Sequence, residues 1–372
     1  MINKTSLTEN SVSLSNTAII CLSPNQGGME IDAVNTAKSL CKLTDVIVIA
    51  KHRSFIQQQF RAELEEINVP IETIKFYKNF SFSIIFTAKK LIKKHNIKNV
   101  IFFGASELKS LYFSFLGQDI NLIIRHVTTK STSKKDLLHR IIYSDVNYHV
   151  TISGHLEKNV KNIIPFGKNS RIKIIYPSIN QPLTNIQKPK YENNHPISLL
   201  HVGRIIDGKG QLDAIKACEI LYEMKRDFIF HIVGKMDPDY ENEILSYLET
   251  VPYKDSIKIE SFTSDIDQYY KESDIYIFPS KGEGFGLSFV EALSFGLICI
   301  AYKNTSFPEF KELGFEFLIA KNLDINSLKS SLKDSLHYID NNKTPLSKNI
   351  QLSQELFSEK RLIQAYKEIL VL

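Results

Sequence analysis

The sequence predicts an α/β fold of two parallel-sheet domains, and three observations predict it. Short apolar runs of strand length alternate with amphipathic stretches of helix length throughout the chain, as in parallel sheets covered on both faces. At 372 residues the chain exceeds what one hydrophobic core usually serves. Its charge is also divided: residues 1–180 hold 24 Lys and Arg against 13 Asp and Glu, a surplus of +11, while residues 181–372 hold 22 against 28, a deficit of −6. With 43% hydrophobic and 23% charged residues the composition is that of an ordinary soluble globular protein. No apolar run approaches the ~20 residues of a transmembrane helix.

Residues 1–16 are polar, rich in Ser and Asn, and lack a hydrophobic core, so they read as a disordered tail and not a signal peptide. The first strand is 17–22 (TAIICL), followed by Gln26-Gly27-Gly28-Met29-Glu30 and a helix to about 43. A diglycine between strand and helix lets backbone approach a ligand at the helix N-terminus, or simply makes a tight turn. It lacks the full G-x-G-x-x-G of a dinucleotide site. Residues 45–50 and 100–103 read as buried strands, and 54–67 and 82–95 as helices. In the second of these helices Ile84, Ile85, Ala88, Leu91 and Ile92 form one face and Lys89, Lys90, Lys93 and Lys94 the other. Strand 121–124 leads into Arg125-His126 and a basic loop with Lys130, Lys134 and Lys135; strands 148–152 and 173–176 complete the half. Ligands of parallel sheets bind beyond the strands' carboxyl ends, which draws attention to His126.

Residues 177–196, rich in Pro, Asn, Gln and Lys, are aperiodic, and 181–196 reads as a linker. The alternation then resumes: strand 197–202, helix 211–224, strand 228–233 ending at Gly234, and strand 256–260 before Ser261-Phe262-Thr263. Residues 324–340 are amphipathic, and 358–371 close the chain. Between these lies IYIFPSKGEGFGLSFVEALSFGLICIAY (275–302), read as strand, glycine loop, helix 287–295 and strand. That helix is apolar on every side, and Glu291 is its only charge. A buried carboxylate needs partners or turns neutral; ribose or sugar hydroxyls would serve, unless the charge snorkels to water. Gly282, Gly284 and Gly286 leave loop N–H groups open ahead of a helix N-terminus, which favours an anion.

Glu283 and Glu291 stand in an E-x7-E arrangement flanked by Pro279-Ser280, Gly284-Phe285-Gly286 and Ala292. Upstream, residues 203–210 read GRIIDGKG. Together these motifs resemble retaining glycosyltransferases of family 4, the glycogen-synthase-like group with the GT-B fold, strongly over 197–320 and weakly elsewhere. The resemblance implies two Rossmann-like domains facing a central cleft, 17–180 on the acceptor side and 197–357 on the nucleotide-sugar side, with helix 358–372 returning to the first domain. It implies a hexosyl donor that is a nucleotide-diphosphate sugar, most simply a UDP-sugar, bound by Gly27, Gly28, Gly203, Arg204, Lys209, Gly234, Phe262, Glu283, Gly284, Phe285, Gly286, Leu287 and Glu291. It assigns His126, Glu283, Arg204 and Lys209 to catalysis and Glu291 to the ribose. Arg125, Lys130 and Arg140 are candidates for an anionic acceptor. The family shows a glycine near Ser261, so the base-contacting loop departs from its pattern here; a second departure is Ile298, where the family has a proline.

The chemistry fits these residue types. Cleaving the anomeric bond puts negative charge on the leaving diphosphate; Arg204 supplies a bidentate fork and Lys209 a point charge. Enzymes of this resemblance need no divalent metal or other cofactor, and no Asp-x-Asp motif or metal-ligand spacing stands at a strand end. The acceptor would be a cell-envelope saccharide, free or lipid-linked: lipopolysaccharide core, O-antigen or capsule. A catalytically inactive nucleotide-sugar-binding subunit and a GT-B epimerase are the alternatives. Four cysteines without CxxC spacing point to buried free thiols and a cytoplasmic location. The basic first half points to a phosphorylated or membrane-borne partner, including an anionic membrane surface; nucleic acid is not expected.

Overall fold

The computed structural model describes residues 16–179, 196–263, 265–341 and 346–371. The expected tail and linker lie, apart from Asn16 and Pro196, outside these residues. Two compact units result. The first comprises residues through Ile152, Asn159–Ile175 and the C-terminal stretch from Leu362; the second comprises Ser153–Lys158 and Tyr176–Arg361.

In the first unit the strands are β1 (Thr17–Cys21), β2 (Val46–Lys51), β3 (Ile71–Ile74), β4 (Asn99–Phe103), β5 (Asn121–His126), β6 (Val146–Thr151) and β7 (Arg171–Ile174). All pair in parallel, in the order β3-β2-β1-β4-β5-β6-β7. The short β3 was not apparent in the sequence, where its alternating Ile-Glu-Thr-Ile is brief and half polar. Right-handed crossovers place helices Gly28–Leu40 and Phe55–Glu66 on one face of the sheet. On the other face Phe82–Lys94, Leu108–Phe115 and Leu137–Ile142 pack in succession. β1, β4 and β5 are buried along their whole length, which is why their middle residues read as apolar runs.

One charged residue sits at the heart of this unit. Arg125 has no exposed surface. Its Nε and Nη2 donate to the two carboxylate oxygens of Asp32 at 2.6 and 3.0 Å, and Nη1 donates to Ile175 O and the Tyr366 hydroxyl, both at 3.1 Å. Tyr366 lies on the last helix, Glu359–Lys367, so the ion pair fastens the chain's end to the first sheet. Asn121 Nδ2 donates to Ile369 O at 2.8 Å and strengthens the same attachment.

The second unit has β8 (Ile197–Val202), β9 (Phe228–Val233), β10 (Ile257–Glu260), β11 (Ile275–Phe278), β12 (Ile298–Tyr302) and β13 (Leu318–Ala320). They form a parallel sheet in the order β10-β9-β8-β11-β12-β13. The helix expected over 211–224 is two helices, Gln211–Ala217 and Glu219–Glu223, broken at Cys218. There the Cys218 N–H is shared between the carbonyls of Ala214 and Ile215. In both sheets β-strand order reverses next to the first strand of the unit, and such switch points open a crevice at the strands' carboxyl ends.

Candidate active site

At the second unit's switch point, the loops following β8 and β11 pack on each other. The Lys281 N–H donates to Gly208 O at 3.0 Å. Gly210 has φ +77°, and a Cβ there would lie 2.1 Å from Pro279 O, so only glycine closes this approach. Gly234 is held as tightly, its would-be Cβ 1.9 Å from Gly203 O. The two loops bring together residues 74 positions apart: Lys209 Nζ donates to Glu283 Oε1 at 2.6 Å. The same oxygen accepts from Ser280 Oγ at 2.8 Å, and the Glu283 N–H donates to Thr305 Oγ1 at 3.0 Å. Arg204 is exposed and forms no ion pair with a described residue.

Beyond Glu283 the backbone is turned by side chains that sequence reasoning missed. Ser153 Oγ donates to Gly284 O at 2.7 Å, and Ser306 Oγ donates to Phe285 O at 2.9 Å. With those carbonyls held, none of the Gly284, Phe285, Gly286 and Leu287 N–H groups donates to a described residue. They precede and open helix Leu287–Ser294, whose positive end adds to their attraction for an anion. The Phe285 ring is buried among Tyr176, Phe310 and Phe357, so this residue can offer a ligand only its backbone. Ser153 and Ser306 carried no signal in the sequence, since an isolated Ser in a loop matches no spacing.

Glu291 already has a partner. Tyr270 donates its hydroxyl to Glu291 Oε2 at 3.0 Å, a protein partner that the sequence did not reveal beside the ligand hydroxyls or water it suggested. Burial, opposed by that hydrogen bond and reinforced by Asp267, pushes the Glu291 carboxyl up to about 7. A carboxyl raised in the folded state loses nothing below its unfolded value, near 4.5, and destabilises progressively as pH rises to its folded value. Glu291→Gln should therefore stabilise the free protein by up to about 3 kcal/mol at about pH 8 and negligibly near pH 4.5. Urea midpoints of both proteins at both pH values check this; a pH-independent difference would contradict it. Phe262 is half exposed just beyond β10, where Glu260 accepts from His231 and Tyr269.

In the first unit, Gly27 caps and Gly28 opens helix Gly28–Leu40, which follows β1 beside the switch between β1 and β4. Gly27 is extended, so its φ does not itself demand glycine. His126 pairs in register with Thr151 of β6, which puts His149, two residues back, on the same face. His126 Nε2 and His149 Nδ1 are 3.0 Å apart, and both rings are buried. Burial, with His149, Lys130 and Lys134 adding to it, holds His126 well below the usual imidazole range, and it is neutral at pH 7. Lys130 is half-buried and lowered to about 8 by burial and Lys134, whereas Arg140 is exposed on helix Leu137–Ile142. Arg125 is the exception among the expected acceptor residues. Its donors are bonded within the core, so the geometry places it in the scaffold and not before a ligand.

Two Rossmann-like parallel-sheet units make this a GT-B fold, as in solved structures of similar architecture. Residues 184–349 match the family model described as glycosyl transferases group 1. Over its length the chain is 28% identical to the capsular polysaccharide biosynthesis glycosyltransferase CapH of Staphylococcus aureus, covering 91% of this chain and 97% of that one. Among solved structures, a glycosyltransferase from Rickettsia africae superposes with a TM-score of 0.79 at 18% identity, covering 96% and 97% of the two chains. HepE of Anabaena, in complex with UDP and glucose, gives 0.77 at 14% identity over 95% and 98%.

Proposed function

We propose that the protein is a retaining, metal-independent glycosyltransferase that moves a hexosyl group from a UDP-sugar to a cell-envelope saccharide acceptor. The observation that carries this reading is the Lys209–Glu283 pair set beside four N–H groups without a described acceptor at a helix N-terminus. As the anomeric C–O bond breaks, its electron pair goes to the β-phosphate oxygen. Arg204, Lys209 and those N–H groups stabilise that charge. Glu283 faces the positive charge developing on the sugar. The acceptor hydroxyl attacks from the leaving group's side and passes its proton to a leaving-phosphate oxygen. Neither glutamate acts as a base, so the pair is not a glycosidase dyad.

The capsular relative's name and the UDP and glucose held by HepE support the choice of acceptor and donor class. Thermal shift with UDP-, GDP- and ADP-sugars tests the donor. A UDP-sugar at 100 times its Kd should add about 2.7 kcal/mol of stability. Turnover with lipid-linked saccharides, followed by NMR of the product anomer, tests the rest. An inverted anomer, or stabilisation by no nucleotide sugar, would sink the proposal.

Glu291 is assigned to the ribose, and at about pH 8, where its carboxyl is ionised, Glu291→Gln should weaken nucleoside-diphosphate binding by about 10- to 150-fold, the worth of one charge-assisted hydrogen bond. His126 is assigned to the reacting centre as a neutral group. His126→Ala should lower turnover strongly while leaving nucleoside-diphosphate affinity nearly unchanged, because the residues assigned here to phosphate and ribose (Arg204, Lys209, the 284–287 N–H groups and Glu291) belong to the second unit. Calorimetry beside initial rates separates the two; an unchanged rate at saturating substrate would return His126 to a packing role.

A further inference from the structure

No helix among the described residues is long and apolar enough to cross a membrane. The first unit nevertheless carries an exposed aromatic ridge. On helix Phe82–Lys94 the buried residues Ile84, Ala88, Leu91 and Ile92 follow the spacing of one face, and Phe82, Phe86, Lys89, Lys90 and Lys93 follow the same spacing two residues out of phase. Phe82 and Phe86 are 68% and 69% exposed, with ring centroids 6.4 Å apart. Phe80 joins them at 6.2 Å from Phe82, and Phe113 of the neighbouring helix lies 6.1 Å from Phe80. Four phenyl rings thus form one continuous water-facing row, where a soluble surface normally shows such side chains singly.

The charge around the row is one-sided. Residues 75–98 contain seven lysines and no Asp or Glu. Lys94 is bound to Glu72 and Lys98 to Asp119, but Lys75, Lys78, Lys89, Lys90 and Lys93 form no ion pair with a described residue. Aromatic and basic residues share one stripe in series along the helix axis instead of opposing each other across it. A stripe of this kind fits a surface that is apolar beneath and anionic above.

We propose that this face docks on an anionic lipid bilayer, Phe80, Phe82, Phe86 and Phe113 entering the headgroup–acyl boundary while Lys89, Lys90 and Lys93 meet lipid phosphates. The inference stands on the first unit alone and does not depend on the glycosyltransferase reading. Co-sedimentation of the full chain with phosphatidylcholine vesicles, with and without phosphatidylglycerol, tests it. Binding should require phosphatidylglycerol and fall steeply at ~1 M salt, where screening acts within about 3 Å. Phe82→Ser with Phe86→Ser should lower the partition constant at least ~10-fold, and each of Lys89→Gln and Lys90→Gln about fivefold. Phe82, Phe86 and Lys90 are exposed and Lys89 is half-buried without an ion pair to a described residue, so the thermal midpoint should not move. Equal binding to neutral vesicles, absence of binding, or variants that bind like the parent would overturn the proposal. So would a concentration-dependent dimer in ultracentrifugation that Phe82→Ser abolishes, since a second copy would then occupy the face.

Discussion

Glu283→Gln is expected to lower turnover by about 10²- to 10³-fold, the usual consequence of removing one electrostatic contact made chiefly in the transition state. The substitution keeps the size and hydrogen-bonding shape of the side chain, and Ser280 Oγ and Lys209 still find an oxygen there. What disappears is the negative charge that would oppose the positive sugar. Nucleoside-diphosphate affinity should hold or rise slightly, because Lys209 loses its carboxylate and is freed toward phosphate. Lys209→Ala gives the contrasting pattern, with affinity falling about 10- to 150-fold. Initial rates and calorimetry on both variants decide the matter. If Glu283→Gln retained full rate, or lost nucleotide affinity as Lys209→Ala does, the division of roles would be wrong.

Arg125→Ala should destabilise the protein by about 3–5 kcal/mol, because it leaves the Asp32 carboxylate buried without its counter-charge. Against a typical stability of 5–15 kcal/mol this is a large fraction. The double substitution Arg125→Met with Asp32→Leu should recover most of the loss, since replacing both charges by apolar side chains removes the uncompensated group. Tyr366→Phe removes one hydrogen bond and should cost about 1 kcal/mol. Urea denaturation of the four proteins measures each value. A loss below ~1 kcal/mol for Arg125→Ala would mean that water reaches Asp32 and that the pair does not fasten the last helix.

These two predictions differ in how visible their residues were beforehand. Glu283 and Lys209 stood out through the motifs of the family resemblance, set in glycine loops of the kind that let backbone approach a ligand. Arg125 gave the opposite impression: next to His126 at a strand end and before a basic loop, it looked like a residue waiting for an acceptor. Its strand is flanked by β4 and β6 inside a sheet, and Asp32 and Tyr366, far away in sequence, close around it. No local pattern encodes that pairing. Tyr270 beneath Glu291 and the serines 153 and 306 behind the 284–287 loop are hidden for the same reason.

The sequence by itself determined the parallel α/β class, the buried central strands and the two glycine loops. Each depends on a local requirement: apolar runs for strands covered on both faces, and glycine where a side chain would collide with neighbouring backbone. Only the tertiary structure decided the strand order, the switch points and the meeting of Lys209 with Glu283. It also decided that the lysine face of helix Phe82–Lys94 begins in exposed phenylalanines and joins Phe113. Contacts between distant segments depend on how crossovers stack the elements, and hydrophobic burial sets that for the chain as a whole.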